Sequence, residues 1–157
     1  IMNIAIIIHS KTGHTLQVGE ELRSRLETSG HTVHLEKIRA ANESEVKPEA
    51  IALTNFPKTT GFDLLLFGAP VHGGRLSAVM QAYLQQLPSL EGRVMAGFVT
   101  EFFPSAGMGG NQAIENMEEL LRAKGGELRS SGVVNWMFRG KREKLISETI
   151  EKIAALA

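Results

Sequence analysis

Three stretches of this chain are apolar at consecutive positions: Ile4-Ala5-Ile6-Ile7-Ile8, Leu64-Leu65-Leu66-Phe67, and the segment from Val94 to Thr100. A strand with one wet face alternates apolar and polar residues, so unbroken runs predict strands covered on both faces. Segments of helical period separate them. Residues 14–29 place Val18, Leu22 and Leu26 on one stripe, and Gly30 is a fitting stop. Residues 76–87 align Leu76, Val79, Met80, Tyr83 and Leu87, and residues 111–124 align Ile114, Met117 and Leu121, ending at Gly125-Gly126. A last helix is predicted over 141–156. Thr32 to Ile38 alternates, as a strand nearer an edge does, and a fifth strand falls within 127–138. Residues 39–61 are the least regular part; Pro48 and Pro57 punctuate them, and Ala50-Ile51-Ala52-Leu53 reads as a short helix.

Strands alternating with helices predict an α/β fold, a three-layer, doubly wound, five-stranded parallel sheet in a single domain over residues 2–157. Right-handed crossovers leave few strand orders, of which 2-1-3-4-5 is common at this size. Ligands of such sheets bind at the carboxyl ends of the strands beside the point where the order reverses. Attention therefore falls on the loops after the first, third and fourth strands.

Composition removes several alternatives. The chain has 157 residues, no cysteine, and 17 basic against 17 acidic side chains. Disulfides, thiolate catalysis and cysteine-ligated metals are excluded. Zero net charge gives no electrostatic reason to expect nucleic acid. No apolar run has the length of a membrane span, and the first residues enter a strand without a basic region or cleavage site, so no signal peptide is expected and a cytoplasmic location is.

The first loop reads His9-Ser10-Lys11-Thr12-Gly13-His14-Thr15. Gly13 permits a tight turn that aims N–H groups inward at a helix start, and hydroxyls at 10, 12 and 15 can donate without fixed charge. This combination suits a phosphate monoester. The plainer reading is that Ser10, Thr12 and Thr15 cap the helix, with Lys11 solvated and His14 a surface residue. The pattern Ser-x-Thr-Gly-x-Thr after an apolar first strand resembles the phosphate loop of flavodoxins and flavodoxin-like FMN proteins. That resemblance implies contacts from Ser10, Lys11, Thr12, Gly13, His14 and Thr15 to the FMN 5′-phosphate.

The second loop, Gly68-Ala69-Pro70-Val71-His72-Gly73-Gly74-Arg75, has the Gly-x-Pro-x-x-x-Gly form of the family's first flavin-flanking loop. The resemblance makes Pro70, Val71, His72, Gly73 and Gly74 cofactor neighbours. Gly73 best matches, and Gly74 next, the glycine whose peptide responds to protonation at flavin N5. His72 stands where many flavodoxins carry a stacking aromatic; it could stack weakly or bond to backbone. Arg75 reads as structural. The third loop, Thr100-Glu101-Phe102-Phe103-Pro104-Ser105-Ala106-Gly107-Met108-Gly109-Gly110-Asn111, resembles the second flavin loop. It contributes Thr100, Glu101, Phe102, Phe103, Gly107 and Met108, with one phenylalanine expected on the flavin and the other capping the core. Met108 and the glycines read as a lip over the ring, and Asn111 as an N-cap.

The implied activity is electron transfer through non-covalent FMN, either to a redox partner protein or, in an NAD(P)H-dependent reductase, to a small acceptor such as a quinone. A homo-oligomer is compatible with either, and a flavin-free interaction domain is the remote alternative. Gly107-x-Gly109 follows the wrong strand and lacks the third glycine of a dinucleotide fingerprint. A phosphoacceptor receiver domain needs an aspartate where Ala69 stands, and acids where His9 and Ser10 stand. A hydrolase has no G-x-S-x-G or Walker sequence to build on.

Overall fold

In the computed structural model, which describes residues 1–157, two sets of side chains leave the sheet in opposite directions and each is buried. Strands β1 (Asn3–Ile8), β2 (Thr32–Lys37), β3 (Leu64–His72), β5 (Val94–Glu101) and β6 (Glu127–Asn135) form the parallel sheet in the order β2-β1-β3-β5-β6. Those five are the predicted strands in the predicted order. A two-residue strand, β4 (Arg75–Leu76), lies off this path and pairs antiparallel with β3.

Alternation along each strand explains the unbroken apolar runs. Ile4, Ile6, Ile8, Leu64, Leu66, Ala96 and Phe98 face helices α1 (His14–Thr28) and α4 (Arg139–Ala154), meeting Val18, Leu22, Leu26, Ile146, Ile150 and Ile153. Ala5, Ile7, Leu65, Phe67, Met95 and Val99 face the other layer, α2 (Ala78–Gln85) and α3 (Gly110–Arg122), meeting Val79, Met80, Tyr83, Met117 and Leu121. β2 lies at the edge and is only half covered, as its alternating sequence predicts. No helix is long and apolar enough to cross a membrane.

Two expectations change. The link between β2 and β3 contains no α-helix, only one 3₁₀ turn at Pro48–Ala50. Ile51 and Leu53, expected in a helix, are instead in an extended stretch that packs on the α2 layer, with Ala40 bridged to Leu53. Asparagine side chains replace helical hydrogen bonding there. Asn42 accepts from the Ala52 N–H and donates to the Ala50 carbonyl, while Asn55 accepts from the Arg39 N–H and donates to the Lys37 carbonyl. The predicted third-strand exit is also more ordered than a loop. β3 continues to His72 and turns back through Gly73-Gly74 into β4, with Val71 opposite Leu76 and His72 opposite Arg75. Gly73 and Gly74 have φ of 59° and 77°, which a two-residue hairpin turn requires and glycine supplies without strain.

Gly68, mid-sheet, pairs with Phe98, whose ring covers the space that a Cβ would take. Gly68→Ala is therefore expected to destabilise by about 1–3 kcal/mol, read as a lower urea midpoint. Adding Phe98→Leu should restore part of that loss; a double variant no better than the sum of the two single ones would refute the clash.

Candidate functional site at the carboxyl edge of the sheet

The first loop connects the fully buried end of β1 to α1. Gly13, at φ 94°, is the residue that precedes α1, and no side chain caps that helix start. Ser10 Oγ accepts from the Leu16 N–H at 3.2 Å, and Gln17 begins the helical series by donating to Gly13. The N–H groups of Lys11, Thr12, Gly13, His14 and Thr15 donate to no protein acceptor. Five adjacent free donors stand at the positive end of a 15-residue helix, an arrangement that suits an anion. Of the three hydroxyls proposed as caps, only Ser10 takes a helix N–H. Thr12 is exposed, and the Thr15 hydroxyl turns inward to bond Thr100 Oγ1 at 2.8 Å.

That threonine pair joins the first loop to the end of β5. The first and second loops are joined by His9. Its N–H donates to the Gly68 carbonyl at 2.9 Å, and its ring, 1% exposed, lies between Ser77 Oγ at 2.9 Å and Glu43 Oε1 at 2.6 Å. The Glu43 carboxylate can only accept, so neutral His9 carries its proton on Nε2 and accepts from Ser77 at Nδ1. Ser77 is fully buried and also caps α2 by accepting from the Met80 N–H. This Ser–His–Glu chain thus ties down the loop around Glu43, and its hydroxyl is not available as a nucleophile. The second and third loops touch at Gly109, where a Cβ would lie 3.0 Å from both Gly74 Cα and Val71 Cγ1. His72 is exposed at the hairpin, edge-on to His9 with ring centroids 6.2 Å apart. Pro70 and Val71 are half-buried beside it.

In the third loop, Thr100 and Glu101 turn inward. Glu101 is 5% exposed, its Oε1 accepts from Asn135 Nδ2 at 2.8 Å, and its Oε2 has no partner. Burial pushes its pKa up, against the opposing pull of Asn135, the Gly110 N–H and Lys141. Glu101 therefore supports the loop from below and does not project from it. Phe102 and Phe103 are 57% and 51% exposed. The expectation that one of them caps the core is not met, because the Phe102 carbonyl accepts from the Met137 N–H and the Phe103 carbonyl from Asn135, which holds both rings outward. Gly107 and Met108 lie in a 3₁₀ turn, with Met108 exposed. Gly109 at φ 127° takes the N-cap place expected of Asn111, which sits one residue inside α3 with its side chain exposed.

The sequence reading overlooked the fourth wall. The only tryptophan, Trp136, follows β6 and stacks on His14 at 4.0 Å with the rings 9° apart. Arg142 lies 5.1 Å from the Trp136 ring centroid and donates to its carbonyl. A lone tryptophan at the carboxyl end of a parallel strand was the available signal. Glu43 and Ser77 left none, since their partner His9 is 34 and 68 residues away.

The sequence matches no protein-family model and no curated protein. Solved structures match over nearly the whole chain. The flavodoxin of Megasphaera elsdenii superposes with a TM-score of 0.68 at 18% identity, covering 97% of this chain and 98% of its own. A WrbA-like flavodoxin of Agrobacterium tumefaciens gives 0.63 at 16%, covering 99% and 97%. A Lactobacillus acidophilus flavoprotein, described in complex with FMN, gives 0.64 at 17%, covering 85% and 93%. The chain has the flavodoxin-like fold.

Three imidazoles at this edge share an electrostatic property. Burial lowers the pKa of His9 from the ordinary 6.5 despite Glu43, and Lys11 and Lys37 lower it further. His14 is lowered by burial and then by Arg142, and His72 by lost solvation, then by His9 and Lys11. The unfolded chain thus takes up protons before the folded one as pH falls below 6.5, and stability is lost from there downward. The urea midpoint should decline over that window, and His9→Gln should flatten the decline; an unaltered slope in the variant would remove His9 from the account.

Proposed function

We propose that this protein binds one FMN at the junction of the three loops and serves as a flavodoxin-like redox protein. The observation that carries the reading is the run of five unpartnered N–H groups from Lys11 to Thr15 at the start of α1. These donors suit a phosphate dianion, with the exposed Thr12 hydroxyl adding a sixth. The rest of the edge fits a flat ring. Gly73, Gly74 and Gly109 bring backbone close, Phe102 and Phe103 offer exposed aromatic surface, and His72 stands on the hairpin side. Bound FMN would supply the electron-transfer chemistry. The chain's own residues bind and orient it, and the hairpin and third loop exclude water from its sides.

Zero net charge and an exposed apolar rim of Phe102, Phe103, Met137 and Phe138 support a second version, in which a pyridine nucleotide donates to the flavin and a small acceptor such as a quinone receives the electrons. In the first version a partner protein covers that rim. Mixing FMN-loaded protein with NADPH or NADH separates them: prompt bleaching of the flavin absorbance, with turnover on adding a quinone, supports the reductase, and no bleaching supports the carrier. Either activity is consistent with a cytoplasmic protein.

Titration of flavin-free protein, followed by flavin fluorescence, tests the cofactor. Each hydrogen bond to a charged group contributes about 1.5–3 kcal/mol. FMN should therefore bind at least about a hundredfold more tightly than riboflavin. Thr12→Val should weaken FMN roughly tenfold and leave riboflavin unaffected. Thr15→Val should chiefly lower thermal stability, by about 1 kcal/mol, through the lost bond to Thr100. Equal affinity for FMN and riboflavin would overturn the phosphate cradle.

A further inference from the structure

His14 joins the run of free donors to the Trp136 wall. Its backbone N–H is one of the five unpartnered groups from Lys11 to Thr15. Its ring stacks on Trp136, with centroids 4.0 Å apart and planes 9° from parallel. Trp136 is buried, so the indole holds the imidazole from a fixed position. His14 itself is half-buried, and neither ring nitrogen has a hydrogen-bond partner in the protein. Neither nitrogen is sealed from solvent, so the ring is open to a proton.

The charges around this ring set its state in the free protein. Lys11 stands in the same loop, Glu20 and Glu21 lie further along α1, and Arg139, Arg142 and Glu143 come from α4. Arg139 and Glu143 pair with each other at 3.0 Å. No acid pairs with the imidazole. Arg142 acts on it, and its charge adds to burial in disfavouring a proton there. An anion on the donor run reverses that balance. The imidazole is joined through Cα and Cβ to one of the donors, so an anion bonded to that N–H lies within a Debye length of it, about 8 Å at physiological salt. A nearby opposite charge favours the protonated ring.

We propose that His14 takes up one proton from solvent when a phosphate monoester dianion occupies residues 11–15, and that the imidazolium, kept in place on the Trp136 ring, offsets part of the ligand's charge. Ligand and proton are all that the protein gains; no covalent bond of the ligand forms or breaks and no electron moves. Affinity for a phosphate-bearing ligand is thereby coupled to pH. It rises as pH falls towards 6.5, the ordinary value for histidine. The gain ends near pH 6, about where a phosphate monoester takes its own second proton. A ligand without the phosphate gains nothing. The inference rests on the reading of residues 11–15 as a phosphate site and is indifferent to the ring that carries the phosphate.

Proton NMR of the His14 ring between about pH 5 and 8.5 tests it. The ring should titrate below 6.5 in the free protein. With FMN saturating, the midpoint should lie at least about one pH unit higher, and with riboflavin saturating it should not move. Trp136, the only tryptophan, should change its fluorescence over the same window in the FMN complex, and should not do so in His14→Asn. The FMN affinity of the wild-type chain divided by that of His14→Asn should rise about threefold from pH 8 to 6.5, the linkage result of a one-unit shift. Arg142→Gln, a second variant should the first fold poorly, should raise the midpoint of the free protein. Inorganic phosphate is the flavin-free probe and should move the midpoint in the same direction as FMN. A midpoint unmoved by bound FMN, or moved as far by riboflavin, would overturn the inference and leave FMN binding in place. Movement by inorganic phosphate in a protein that does not bind FMN would keep this inference and remove the flavin. Binding of neither would remove both.

Discussion

Backbone N–H groups left without acceptors at a helix start are a cost, and most α-helices reduce it with a side-chain cap. Here five in succession stay free, although three hydroxyl residues stand within reach in sequence. Ser10 accepts only from the next N–H of the same first turn, that of Leu16, and Thr15 is turned into the protein. The loop thereby keeps its donors unpartnered within the protein, and the neighbouring loops hold it in that shape. Gly13 supplies the left-handed step, and the buried end of β1 fixes where the cradle begins.

The other loops are secured to it through atoms beneath the surface. Thr15 to Thr100, His9 to Gly68 and Ser77, and Gly109 against Gly74 form a closed circuit around the three strand ends. The links made by Thr15 with Thr100 and by His9 use buried groups, so each is worth more than an exposed pair and carries a penalty if one partner is removed. Glu101 has a related role below the third loop. Its carboxyl, raised in pKa by burial, is met on one oxygen by Asn135, the same amide that holds the Phe103 carbonyl. The exposed rings of Phe102 and Phe103 are therefore positioned from the backbone, and their faces are left for a ligand or partner.

Much of this was legible from residue order. Five strands, their sequence in the sheet and the three loops at its carboxyl edge follow from continuous apolar runs and helical stripes, because burial on two faces leaves few other patterns. The helix proposed near residue 51 failed for a nameable reason. Asn42 and Asn55 satisfy the backbone of that link through side chains, a local competition that apolar periodicity does not register. The hairpin at Gly73-Gly74 was visible as a glycine pair, but its two-residue partner strand is too short for any periodic signal. Phe102 and Phe103 misled because aromatic residues at a strand end usually close a core, and the hydrogen bonds that turn them outward come from residues 135 and 137.

The start of α4 shows the same economy in electrostatics. Its first six residues include Arg139, Lys141, Arg142 and Lys144 and no acid except Glu143. Cations at that end oppose the helix dipole, so their location has to be offset by other contacts. Lys141 donates to the Pro104 carbonyl of the third loop, and Arg142 donates to the Trp136 carbonyl while its guanidinium lies near the indole that stacks on His14. Both cations therefore fasten loops that border the anion cradle. The charge of Arg142 also reaches the first loop, where it adds to burial in lowering the pKa of His14. A chain of zero net charge can thus present a locally positive edge, and the position of charge along the fold, more than its total, sets what that edge attracts.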